Sequence, residues 1–111
     1  MIRLTKRATV KRYILGEYKK KSFNKVSSVA KEALDNYEFY LVRKMRKVSE
    51  LEGGKETLNL INRSAVRKFL IARCKIKKIK KTYLDNLNFH LVRKIRHDIN
   101  CCSPSKRTFN P

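Results

Sequence analysis

The sequence predicts an all-α fold of four helices, and three observations predict it. Gly and Pro are scarce inside the 111-residue chain: only Gly16, Gly53 and Gly54 interrupt it, and both prolines, Pro104 and Pro111, fall in the last eight residues. Apolar side chains make up 41% of the chain. They recur three or four residues apart in four separate stretches, the period of a helix with one buried face.

The first helix is predicted over about Ala8–Tyr18, where Val10, Ile14 and Tyr18 stand four apart, and a polar linker, 19–25, follows. The second is predicted to start from an N-cap at Ser27 or Ser28, with Glu32 near the first turn, where a carboxylate complements the helix dipole. Val29, Ala30, Ala33, Leu34, Tyr37, Leu41, Val48 and Leu51 keep helical spacing until Gly53-Gly54 gives a stop signal. That is a rod of about 26 residues, roughly 40 Å long. The third helix is predicted over about Asn62–Lys75, with Asn62 as N-cap and Val66, Phe69, Leu70 and Cys74 facing inward. The fourth spans about Thr82–Asn100 and carries Leu84, Leu87, Leu91, Ile95 and Ile99 on one stripe. Residues 101–111 have no periodicity and read as a mobile basic tail.

Charge points to the partner. Twenty-nine Lys and Arg face nine Asp and Glu, a formal net charge of +20. A compact chain with that balance repels itself, and a polyanion relieves the repulsion. The acids are unevenly placed: Met1–Gly16 and Thr57–Leu84 contain none, and six of the nine lie between Glu32 and Glu56. DNA, RNA or an anionic membrane surface would satisfy such a chain. No apolar run reaches the ~18–20 residues needed to span a bilayer, and basic residues at the N-terminus without an apolar stretch argue against a secretory signal. An intracellular protein is expected.

An internal repeat crosses this layout. Leu34-Asp35-Asn36, Phe39, Leu41-Val42-Arg43-Lys44 and Arg46 recur fifty residues later as Leu84-Asp85-Asn86, Phe89, Leu91-Val92-Arg93-Lys94 and Arg96, nine identities in thirteen positions. Upstream, residues 7–15 resemble residues 63–71 at an offset of fifty-six. Two helix–linker–helix units are implied.

Cys74, Cys101 and Cys102 are odd in number and contain no C-x-x-C pair, so no disulfide framework is expected. His90, His97 and Cys101 recur at helical spacing but fall short of the four ligands a structural zinc wants. No metal or cofactor is expected. Neither a Ser-His-Asp nor a Cys-His constellation is present, nor a phosphate-cradling glycine loop, so the chain is not expected to be an enzyme.

Several local motifs resemble archaeal histones, especially forms with a C-terminal helical extension. Ala8-Thr9-Val10-Lys11-Arg12 looks like their first helix. Lys25-Val26-Ser27, with Ala30 three residues on, resembles the loop that opens the long helix. Gly54-Lys55-Glu56-Thr57-Leu58 is similar to the basic-plus-threonine second loop, and Ala65-Val66-Arg67-Lys68-Phe69 to the closing helix. The resemblance implies a histone fold of short, long and short helices over residues 1–76, an additional C-terminal helix over 77–100 and a flexible basic tail over 101–111. It departs from the family at Glu56, where a cation is usual. The family's arginine–aspartate clamp would fall on Lys55 and Asn62.

The resemblance further implies a sequence-tolerant double-stranded DNA-binding, chromatin-organising protein that wraps or bridges DNA, at the chromosome or nucleoid. A histone-fold chain pairs head to tail, so a homodimer or tetramer, or pairing with another histone, is implied, with loop one of one subunit beside loop two of the other. DNA contacts carried over by position are Lys6, Arg7, Lys11 and Arg12 on the first helix and Lys25, Lys55 and Thr57 in the loops. Ser27 is assigned to capping. The clusters Arg43-Lys44-Arg46-Lys47 and Arg93-Lys94-Arg96 are not family positions and would form a second basic surface, suited to bridging another duplex or meeting a partner's acids. The fourth helix must bury its leucine stripe on the core or on a neighbouring dimer. The alternative function is an RNA-binding or ribosome-associated helical protein whose aromatics stack on unpaired bases. A helix-turn-helix regulator, reading bases through 62–75, and an assembly protein for acidic partners are further rivals.

Overall fold

A computed structural model describes residues 3–20, 26–45, 56–74, 78–101 and 107–110. Helices form where the spacing places them: α1 (Arg7–Lys19), α2 (Lys31–Met45), α3 (Arg63–Cys74) and α4 (Lys81–Cys101). Each buries most of the stripe the sequence marks; Phe69 of the third is half-buried against the core. Val10, Ile14 and Tyr18 of α1, Ala33, Tyr37, Leu41 and Met45 of α2, Val66 and Leu70 of α3, and Leu84, Leu87, Leu91, Ile95 and Ile99 of α4 join one core. Asn62 caps α3, its Oδ1 accepting from the Ala65 amide at 3.2 Å. Glu32 and the pair Arg43-Lys44 sit at the ends of α2 that favour their charges.

Two expectations are corrected. Ser27 and Ser28 do not cap α2. Ser28 and Val29 form a strand, β1 (Ser28–Val29), that pairs in parallel with β2 (Thr108–Phe109). The Ser27 and Ser28 amides donate to the Arg107 carbonyl, and the Ala30 amide to the Phe109 carbonyl at 2.9 Å. The helix therefore starts beyond the strand. For the same reason residues 107–110 are not a loose tail: Phe109 is fully buried, its ring centroid 5.9 Å from that of Tyr18. Burying one aromatic ring beside a two-residue strand outweighs the polar character of its neighbours. The fold is thus mostly helical, with a small parallel sheet that an all-helical reading does not contain. Val48, Leu51 and the Gly53-Gly54 stop lie outside the described residues.

The repeat becomes a local twofold relation. Thr5 and Ile61 form an antiparallel bridge. Around it the Lys6 amide donates to the Leu60 carbonyl and the Asn62 amide to the Leu4 carbonyl, both at 2.8 Å. These two bonds exchange under the fifty-six-residue offset. Further out, Arg7 reaches Asp35 at 2.6 Å and Arg63 reaches Asp85 at 2.7 Å, joining equivalent residues of each unit. Glu38 accepts from the Leu4 amide (2.7 Å) and its counterpart Asn88 from the Leu60 amide (2.8 Å). Each unit thus ties the entry of its first helix to the middle of its second. The apolar face of α2 is covered by α4 of the same chain rather than left for a second copy, and α4 belongs to the common core.

Candidate nucleic-acid interface

The distribution of acids decides what the surface presents. Seven carboxylates lie among the described residues, and each is engaged within the chain. Asp35 and Asp85 hold Arg7 and Arg63. Glu38, 7% exposed, accepts from the Leu4 amide, the Thr5 amide (3.1 Å) and the Thr5 hydroxyl (2.6 Å), with Arg7 Nε 3.5 Å away. Asp98 accepts from Tyr37 Oη and Lys94, Glu56 from Arg96, Glu17 from Lys20, and Glu32 from Asn110. Five cations are paired in this way: Arg7, Lys20, Arg63, Lys94 and Arg96. The other Lys and Arg among the described residues enter no ion pair there, so the outward-facing charge is overwhelmingly positive.

The expected contact residues divide accordingly. Lys6, Lys11, Arg12 and Thr57 are exposed. Arg7 is turned inward: its side chain is 11% exposed and held by Asp35, which removes it from a set that could reach phosphate. Lys25 and Lys55 lie outside the described residues, as do Arg46 and Lys47. In the second basic cluster, Arg43 and Arg93 are exposed, while Lys44 sits over the Tyr40 ring (5.5 Å) and Arg93 over the Phe89 ring (5.5 Å). Lys94 and Arg96 are tied to Asp98 and Glu56. Arg96 also donates to Tyr13 Oη at 2.8 Å. Burial raises the Tyr13 pKa and this guanidinium partly offsets the rise; the same bond leads the upward shift of Arg96.

The structure adds residues that the sequence reading passed over. The twofold mates of Lys11 and Arg12 are Arg67 and Lys68, both exposed on α3. The strand pair β1–β2 brings Ser27 and Ser28 beside Arg107 and Thr108, with the Ser28 and Thr108 hydroxyls 2.9 Å apart. A signal for the second group existed: Lys55-Glu56-Thr57-Leu58-Asn59 recurs as Lys106-Arg107-Thr108-Phe109-Asn110, keeping Lys, Thr and Asn at an offset of fifty-one.

A cleft of about 240 Å³ opens between α2 and α4, lined by Asn36, Tyr37, Tyr40, Arg43, Lys94 and Asp98. Burial, and then the Asp98 carboxylate, raise the Tyr40 pKa. His97 and Cys101 meet one turn apart at 3.7 Å, and among the described residues no three His, Cys, Asp or Glu side chains cluster to hold a metal ion. No helix among the described residues is long and apolar enough to cross a membrane. Comparison of this chain with known protein families, with curated proteins and with solved structures finds no match.

Proposed function

We propose that the chain is a sequence-tolerant duplex-DNA-binding protein of histone-like kind, with phosphates gripped by Lys6, Lys11 and Arg12 of the first unit and Arg67 and Lys68 of the second. The observation that carries this reading is the sorting of charge: six of the seven described carboxylates are paired with cations of the chain and Glu32 bonds Asn110, while these cations stand exposed and outside any ion pair among the described residues. Arg107, Thr108, Ser27 and Ser28 add donors at the strand pair, where the resemblance to histones would put one loop beside another. In this chain the two halves supply together what two histone subunits would supply between them.

The mechanism is positional. Phosphates recur regularly along a duplex, and contacts to them fix register without reading bases. A duplex backbone has local twofold axes of its own, so two cation pairs related by a twofold can meet opposite strands in the same way. Each neutralised phosphate releases counterions, and six contacts give a log–log salt slope near −5. The test is fluorescence anisotropy with several unrelated duplexes of about 30 base pairs across a salt series. Similar affinity for all of them and a slope near −5 are expected. Failure to bind any duplex at low ionic strength would overturn the reading, and a clear preference for structured RNA in competition would move it to the RNA-binding alternative.

A further inference from the structure

We propose that the cleft between α2 and α4 receives one unpaired nucleotide of a DNA strand, its base laid against Tyr40 and its phosphate held by Arg43, with the neighbouring base of the strand on Phe39 beside the cleft. Four observations converge there. The flank of α2 that carries Asp35 and Glu38 faces Arg7 and the Leu4–Thr5 segment, whereas Tyr37 and Tyr40 face Lys94 and Asp98 of α4. At about 100° per residue these flanks lie roughly half a turn apart, so the cleft opens on the side of α2 turned away from Arg7. Phe39 is 58% exposed, which for a ring of that size is an unsatisfied apolar surface. It stands four residues, about one turn, before the exposed Arg43, and Tyr40 beside it is half-buried, with Lys44 over one face of its ring and the other left for a base. Aromatic rings interleaved with cations on a helix face provide stacking platforms and phosphate partners in one place.

The polar groups suit a base edge. Asn36 is exposed at the rim and offers both a donor and an acceptor. Asp98 takes one bond from Tyr37 Oη at 2.8 Å and one from Lys94 at 3.1 Å, leaving carboxylate lone pairs for an exocyclic amine. Size excludes a duplex. Pockets for drug-sized molecules run about 300–1,000 Å³, and a cleft of about 240 Å³ matches a single base. A base inside a duplex is already stacked on both faces, so only an unpaired one can lie on Tyr40. The surrounding cations select a polyanion over an apolar peptide. The second unit repeats the ring and the cation at Phe89 and Arg93, giving a departing strand a further foothold. The inference rests on the duplex-binding reading only for the choice of deoxyribose.

The experiment uses the full chain, a labelled single-stranded DNA of about ten nucleotides, an abasic strand of the same length, the matching RNA strand, and a duplex measured in parallel. The ordinary DNA strand should bind at least about tenfold tighter than the abasic one. Phe39→Ala, Tyr40→Leu and Arg43→Ala should each weaken it by about tenfold with duplex affinity unchanged, and the melting temperature should stay unchanged for the exposed Phe39 and Arg43 variants. Phe39 and Arg43 are exposed, so their variants fold if the chain does. Equal binding of ordinary and abasic strands would overturn the proposal, as would insensitivity to Phe39→Ala and Tyr40→Leu, equal losses for strand and duplex, or a preference for the RNA strand. Base-dependent strand binding without duplex binding would sustain this proposal while removing the duplex reading.

Discussion

Neutralising one cation pair at a time tests whether the twofold relation governs DNA binding. The double variants are Lys11→Ala with Arg12→Ala on α1, and Arg67→Ala with Lys68→Ala on α3. All four side chains are exposed and none joins an ion pair among the described residues, so the fold should be little affected. With Lys6, Lys11, Arg12, Arg67, Lys68 and Arg107 each meeting one phosphate, the salt slope of the native chain is about −5.4. Removing either pair should reduce it to about −3.6, and removing both to about −1.8. Between 50 and 200 mM salt the native chain should lose roughly 2,000-fold in affinity and either double variant roughly 150-fold. Anisotropy titrations across that range read both slopes directly. Because the pairs are related by the local twofold, the two double variants should behave alike. A lowered slope for the α1 pair beside an unchanged slope for the α3 pair would refute the reasoning, since the second unit would then play no part in binding.

Three further outcomes concern stability. Glu38→Ala leaves the buried amides of Leu4 and Thr5 without their acceptor. At about 1–3 kcal/mol per orphaned donor it should cost about 3 kcal/mol, a melting temperature lower by roughly 12 °C; Glu38→Gln keeps one acceptor oxygen, enough for Thr5 or for Leu4 but not for both, and should recover only part of that loss. Phe109→Ala should cost about 3–5 kcal/mol in urea unfolding, and a change under about 0.5 kcal/mol would mean that residues 107–110 do contribute nothing as a closing element. Tyr13 and Tyr40 have raised pKa values through burial. Their protonated forms are favoured in the fold, so the stability they contribute is complete below pH ~10 and declines as pH rises beyond it. Denaturant titrations of native chain and Tyr13→Phe/Tyr40→Phe at pH 8 to 11 should show a shallower decline in the double variant.

The helices were legible because each carries an apolar stripe of consistent period: α1, α3 and α4 match their expected spans within one residue at each end, whereas α2 starts beyond the expected Ser27 or Ser28 cap and its expected end lies outside the described residues. Asn62 was legible as a cap for the same local reason. What the sequence concealed depends on residues far apart. Ser27 and Ser28 have the chemistry of a cap, and only the arrival of Arg107 and Thr108 makes them strand residues instead. Two-residue strands have no alternation to detect, and Phe109 stands alone among polar neighbours. Arg7 was expected at phosphate from its position in the resemblance to histones, yet Asp35, twenty-eight residues away, holds it inside. The repeat showed that Arg7 matches Arg63 and Asp35 matches Asp85, but equivalence between units does not say which residue bonds which.

The pairing of units within one chain also changes how the basic surface comes to exist. A single helix–linker–helix unit would leave the residues of α2 that meet α4, Tyr37 among them, uncovered, and burying them against another molecule would depend on concentration. Here α4 covers them, and the linker turns that association into an intramolecular step with a high effective concentration. The two halves are not identical, however. Glu38 of the first unit is Asn88 in the second, and Glu38 adds a charge-assisted contact to Arg7 where Asn88 adds a bond to the Leu58 carbonyl at 2.7 Å. The first unit thus places an extra carboxylate beneath its cationic helix, and the second leaves α3 without one. If both cation pairs bind phosphate, the α3 side should hold it in the more positive field, so any departure from twofold behaviour in DNA binding should favour Arg67 and Lys68.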